Sequence, residues 1–66
     1  MKITVNGRLV EAMPGWSVGD LVRSRIEEQR RVAVARNGEV VPRGEWDATP
    51  LAEGDLIEVL APVAGG

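Results

Sequence analysis

Met1-Lys2-Ile3-Thr4-Val5-Asn6-Gly7-Arg8-Leu9-Val10-Glu11-Ala12-Met13 opens the chain and decides how the rest can fold. Ile3 and Val5 alternate with Lys2 and Thr4, the period of a strand with one buried face. Asn6-Gly7 is the favoured pair for a type I′ hairpin turn, which needs positive φ at both central positions. Arg8 to Met13 then returns as the second strand. Pro14-Gly15 stops it.

Moving outward, the spacing predicts a helix from Ser17 to about Glu28. Ser17 suits the N-cap, and Asp20 lies three residues on, as in a capping box. Trp16 just before the cap is placed to pack on Leu21 as a hydrophobic staple. Val18, Leu21, Val22 and Ile26 form one apolar stripe. Val32 to Arg36 reads as a third strand. Asn37-Gly38 is a second I′ signal, with Glu39 to Val41 returning and Pro42 ending the run. Arg43 to Ala52 is irregular, with Leu51 an anchor into the core. Glu53-Gly54-Asp55 is a turn. Leu56 to Ala61 is the last strand, and Pro62 ends it.

One helix must cover whatever sheet these strands build. The expectation is an α+β domain over residues 1–61, a four- to five-stranded mixed sheet with one face on the helix. Residues 62–66, Pro62-Val63-Ala64-Gly65-Gly66, follow as a flexible tail. The expected core is Ile3, Val5, Leu21, Val22, Ile26, Val34, Leu51, Ile57 and Val59. Trp16 and Trp46 are the only aromatic residues, so aliphatic side chains must supply most of it.

Composition excludes several functions. The formal charge is −2, against the basic surface that nucleic acid requires. Arg23, Arg25, Arg30 and Arg31 cluster at one helix end, where cations suit the helix dipole. Cys and His are both absent. That removes thiolate nucleophiles, disulfides, the usual metal ligands and the commonest general base. Asp20, Asp47, Glu53, Asp55 and Glu58 lack a His, Lys or Cys to share catalytic work, and Ser17 and Ser24 have no base. No catalytic residue, metal site or bound cofactor is expected. No apolar run reaches the ~20 residues of a membrane span. With no leader pattern at the start, a cytoplasmic protein is the expectation.

The chemistry then moves to the C-terminus. Gly65 and Gly66 have no side chains to obstruct passage into another protein's narrow site. A free carboxylate is a poor electrophile, and adenylation by ATP gives it a good leaving group. A persulfide sulfur can then displace AMP and leave a thiocarboxylate on Gly66, with no cysteine needed in the carrier. A partner-docking face is expected beside this tail. Ile57 and Val59 should point at the helix, leaving Leu56, Glu58 and Leu60 on the open face with Ala33 and Ala35.

Several segments together resemble the ThiS family of sulfur carriers, within the ThiS/MoaD ubiquitin-like group. They are Met1-Lys2-Ile3-Thr4-Val5-Asn6-Gly7, Val32-Ala33-Val34, Asn37-Gly38-Glu39-Val40-Val41-Pro42-Arg43, Trp46, Leu51, Glu53-Gly54-Asp55, Ile57-Glu58-Val59 and the final Gly65-Gly66. The resemblance spans essentially the whole chain. It implies a β-grasp, ubiquitin-like fold with the last strand beside the first. It implies a thiamine-pathway carrier activated by a ThiF-type, E1-like adenylyltransferase that uses ATP. A sulfur donor such as a cysteine desulfurase would load the carrier, and a ThiG-type thiazole synthase would receive the sulfur. Gly66 would carry the thiocarboxylate, with Gly65 the small neighbour that activation requires. The alternatives are a MoaD-type or other ubiquitin-like carrier, serving molybdopterin, cysteine or tRNA thiolation, and a non-conjugating β-grasp binding module. The last needs neither a free terminus nor Gly65-Gly66.

Overall fold

β1 (Lys2–Val5) and β2 (Arg8–Glu11) form the expected antiparallel hairpin, with Ile3 opposite Val10 and Val5 opposite Arg8. Asn6 and Gly7 turn the chain at φ 50° and 82°, the left-handed pair that a type I′ turn demands. The structure is a computed structural model that describes residues 1–25 and 32–60. The second hairpin pairs β3 (Ala33–Arg36) with β4 (Glu39–Val41) through Asn37 and Gly38, at φ 51° and 87°. β5 (Leu56–Leu60) runs parallel to β1 and antiparallel to β3. The sheet order is β2-β1-β5-β3-β4. The last strand therefore sits centrally, and the sheet is the five-stranded, mixed form of the β-grasp.

α1 (Val18–Arg25) begins where the cap motif places it. The Ser17 N–H donates to Asp20 Oδ2 at 2.9 Å, and the Asp20 N–H donates to Ser17 Oγ at 3.2 Å. This reciprocal pair is a capping box with Asp in place of the usual Glu. Two more N–H groups of the first turn have no partner inside the helix. The following irregular segment satisfies both: Val18 donates to the Thr49 carbonyl at 2.9 Å and Gly19 to the Trp46 carbonyl at 3.1 Å. The expected end of the helix and Ile26 lie outside the described residues.

The core lies between α1 and one face of the sheet. Ile3, Val18, Leu21, Val22, Val34 and Ile57 are fully buried, each contributing about 1.5–3 kcal/mol relative to exposure. Val5 and Leu51 are buried as expected, while Val59 is half-buried at its edge. Ala12, Val18, Val41 and Trp46 join the core beyond the expected set. Trp46 is brought in by the segment read as irregular. Pro42 there leads into a single 3₁₀ turn, Arg43–Glu45. The Trp46 indole N–H donates to the Val41 carbonyl at 3.0 Å, so its polar edge stays satisfied under burial. β2 stops at Glu11, two residues short of the expected end. Ala12 instead donates its N–H to the Met1 carbonyl at 2.8 Å.

Candidate functional site

β5 is the last described element before the C-terminal residues. Gly65 and Gly66 lie outside the described residues. The strand itself alternates as expected. Ile57 is buried, whereas Leu56 and Leu60 are 58% and 62% exposed. Glu58 is exposed between them.

The register gathers the expected docking residues. Glu58 lies opposite Ala35 and Leu60 opposite Ala33. Directly paired residues share a face, so Leu56, Glu58, Leu60, Ala33 and Ala35 occupy one open surface. The same rule adds two residues that sequence reasoning missed. Val40 pairs with Ala35 and is 72% exposed, and Leu9 pairs with Thr4 and is 70% exposed. Thr4 in turn lies opposite Leu56. Four of the five strands therefore place apolar residues on this face, with Thr4 standing between Leu9 and Leu56 on β1. The signal for this face was present in the alternation of Glu39-Val40-Val41, because a buried Val41 turns Val40 outward.

Four of the five carboxylates set aside as non-catalytic, all but Glu58, are seen in structural contacts. Asp20 caps α1, and its carboxyl is held below the ordinary value first by the Ser17 N–H. Asp47 accepts from Arg23 at 2.8 Å, and that guanidinium also reaches Asp20 at 3.2 Å. Arg23 is thus engaged with carboxylates at the helix, while Arg30 and Arg31 lie outside the described residues. Glu53 accepts the Lys2 N–H at 3.1 Å. Asp55 is buried against Arg36 at 2.8 Å. Among the described residues, no group of three His, Cys, Asp or Glu side chains converges for a metal ion. No described helix is long and apolar enough to cross a membrane.

A cavity of about 440 Å³ opens between α1 and the C-terminal ends of β1 and β5, lined by Val5, Asn6, Arg8, Leu21, Arg25 and Val59 among others. Its described lining holds two arginines and no carboxylate, so it offers no acid–base pair.

Comparison with known proteins agrees with the geometry. The model of the ThiS family matches residues 3–66. The chain is 30% identical to the sulfur carrier protein ThiS of Escherichia coli, covering the whole of both. The crystal structure of the thiamine biosynthesis protein (ThiS) from Geobacter metallireducens aligns with a TM-score of 0.83 at 35% identity, again over the whole of both chains. Thiazole synthases of Paramagnetospirillum magneticum and Magnetococcus marinus are 32% and 39% identical over 66 residues, and the chain spans only 20% of their length. The chain belongs to the ThiS family, the sulfur carriers of thiamine biosynthesis, whose members are carrier proteins and not catalysts.

Proposed function

We propose that Gly66 is the residue that carries the sulfur, and that the open face of β5 presents it to partner enzymes. The observation that carries this reading is the central position of β5, whose exposed Leu56 and Leu60 lead straight into the Gly65-Gly66 segment. A ThiF-type adenylyltransferase is the activating partner. The Gly66 carboxylate attacks the α-phosphorus of ATP and releases pyrophosphate. A persulfide sulfur, supplied by a donor such as a cysteine desulfurase, attacks the acyl adenylate and expels AMP. Reductive cleavage of the acyl disulfide by a thiol leaves the thiocarboxylate. ATP is used by the partner, and the carrier binds no cofactor of its own. Asp20, Asp47, Glu53 and Asp55 are held in structural contacts, and Cys is absent. Activated sulfur therefore has no side chain on which to ride.

A ThiG-type thiazole synthase is the acceptor. Two relatives named thiazole synthase contain a stretch similar to this chain within a longer polypeptide, which supports a shared pathway step. The cytoplasm, where ATP and persulfide donors are available, is the proposed compartment.

The test is intact-protein mass spectrometry after incubation with ATP, the adenylyltransferase, a cysteine desulfurase and cysteine. One oxygen is replaced by one sulfur, and fragmentation places the change on Gly66. The product then supports thiazole formation by the synthase. Formation of a stable isopeptide with lysines of other proteins, and never a thiocarboxylate, would replace this reading with that of a protein modifier.

A further inference from the structure

The parallel ladder between β1 and β5 advances two residues at a time. The Thr4 N–H donates to the Asp55 carbonyl and the Asn6 N–H to the Ile57 carbonyl, both at 2.9 Å. The next rung requires an N–H from position 8 on the Val59 carbonyl. Arg8 cannot provide it, because the chain has already turned at Asn6-Gly7 and Arg8 lies in β2 opposite Val5. The Asn6 side chain fills the gap. Its Nδ2 donates to the Val59 carbonyl at 3.1 Å, and its Oδ1 accepts the Val59 N–H at 2.8 Å. One carboxamide thus reproduces both halves of a main-chain rung. Beyond Val59 the described part of β5 holds only Leu60, paired with Ala33 on the other side.

We infer that the Asn6 carboxamide is a positioning residue for sulfur transfer, holding the Val59 end of β5, from which the chain continues to Gly66, against β1. This rests on the carrier reading above. Without the Asn6 rung, Val59 is held on the β1 side by no described group, and the last residues of β5 can splay from β1. The docking face of Leu56, Val40 and Leu9 is untouched by that change. The body of the carrier therefore binds as before, but a smaller fraction of complexes places Gly66 in line with ATP. Loss of a productive geometry within a bound complex appears in kcat and not in KM.

The structure contains its own control. Asn37 occupies the matching position of the second I′ turn, and its Oδ1 accepts the Leu56 N–H at 2.9 Å. It clamps the opposite end of β5, at Leu56 and away from Val59. Glycine at either position keeps the positive φ that the turn needs and removes only the carboxamide. Asn6→Asp is a second variant, which keeps an acceptor for the Val59 N–H and loses the donor to the Val59 carbonyl.

The experiment combines amide hydrogen exchange with adenylation kinetics, using a ThiF-type enzyme and pyrophosphate release well below the unfolding midpoint. In Asn6→Gly the Val59 amide exchanges about tenfold faster or more. The kcat for adenylation falls about tenfold at unchanged KM, with Asn6→Asp intermediate. Asn37→Gly loses stability but keeps its kcat. The inference is overturned if Val59 exchange is unchanged or if kcat stays within about twofold of wild type. It is also overturned if KM rises alone, or if Asn37→Gly loses as much kcat as Asn6→Gly. Wild-type protein that is not adenylated at all would overturn the carrier reading and this inference together. A normally adenylated wild type beside an equally active Asn6→Gly would overturn only the inference.

Discussion

Asp55 shows how one side chain ties the turn before β5 to the rest of the sheet. Burial pushes its carboxyl up. The Arg36 guanidinium at 2.8 Å, the Ala52 N–H at 2.7 Å and the Asn37 amide at 3.0 Å together outweigh that and hold it below its ordinary 3.8. A carboxyl depressed in the folded state stabilises the protein fully above its unfolded value and loses that contribution as pH falls through the folded one. The unfolding midpoint should therefore hold from neutrality down to about pH 4 and fall below it. Asp20 and Glu11, also depressed, add to the same acid slope. In Asp55→Asn the slope should be shallower, and thermal melts between neutral and acid pH would refute this if the two slopes coincide. Asp55→Ala leaves Arg36, Asn37 and the Ala52 N–H without their acceptor and should cost about 3 kcal/mol in chemical denaturation.

At the scale of elements, β5 separates two tasks by its alternation. Ile57 holds the core, and Leu56 and Leu60 stay exposed. An exposed leucine on a strand can be changed to a polar residue for under about 1 kcal/mol of stability. An apolar anchor in a protein interface costs about 1–2 kcal/mol or more when lost. Leu60→Asp should then weaken binding to the adenylyltransferase by about tenfold, with the unfolding midpoint nearly unchanged. Calorimetry showing wild-type affinity would remove Leu60 from the docking face. Val40→Asp offers an independent reading of the far side of the surface. It acts through the same sheet face and should add to the effect of Leu60→Asp, since the two residues belong to different paired rows.

For the whole molecule, every fully buried apolar residue described lies between Ile3 and Ile57. Gly65→Trp should therefore fold with an unchanged unfolding midpoint and yet fail to be adenylated, because an indole next to the reacting carboxylate obstructs a narrow channel. A variant adenylated at the wild-type rate would show that the channel does not select for glycine. The two hairpins, the helix start and the faces of the strands were legible in the sequence because their signals are local. Positive φ at two Asn-Gly pairs is a demand on adjacent residues, the Ser17–Asp20 cap spans three, and strand alternation repeats every two. Gly65-Gly66 is a chemical statement that needs no fold at all. Tertiary structure decided what depends on distant chain. It decided that Trp46 enters the core from a segment without periodicity, that Asp55 is buried beside Arg36, and that Val40 and Leu9 extend the open face. It also brought the Asn6 carboxamide to Val59, 53 residues away. Asn6 reads in sequence only as a turn residue. Its second role exists because β5 crosses the molecule to lie beside β1, and no local pattern encodes which main-chain groups a strand will leave unpaired when its neighbour turns away.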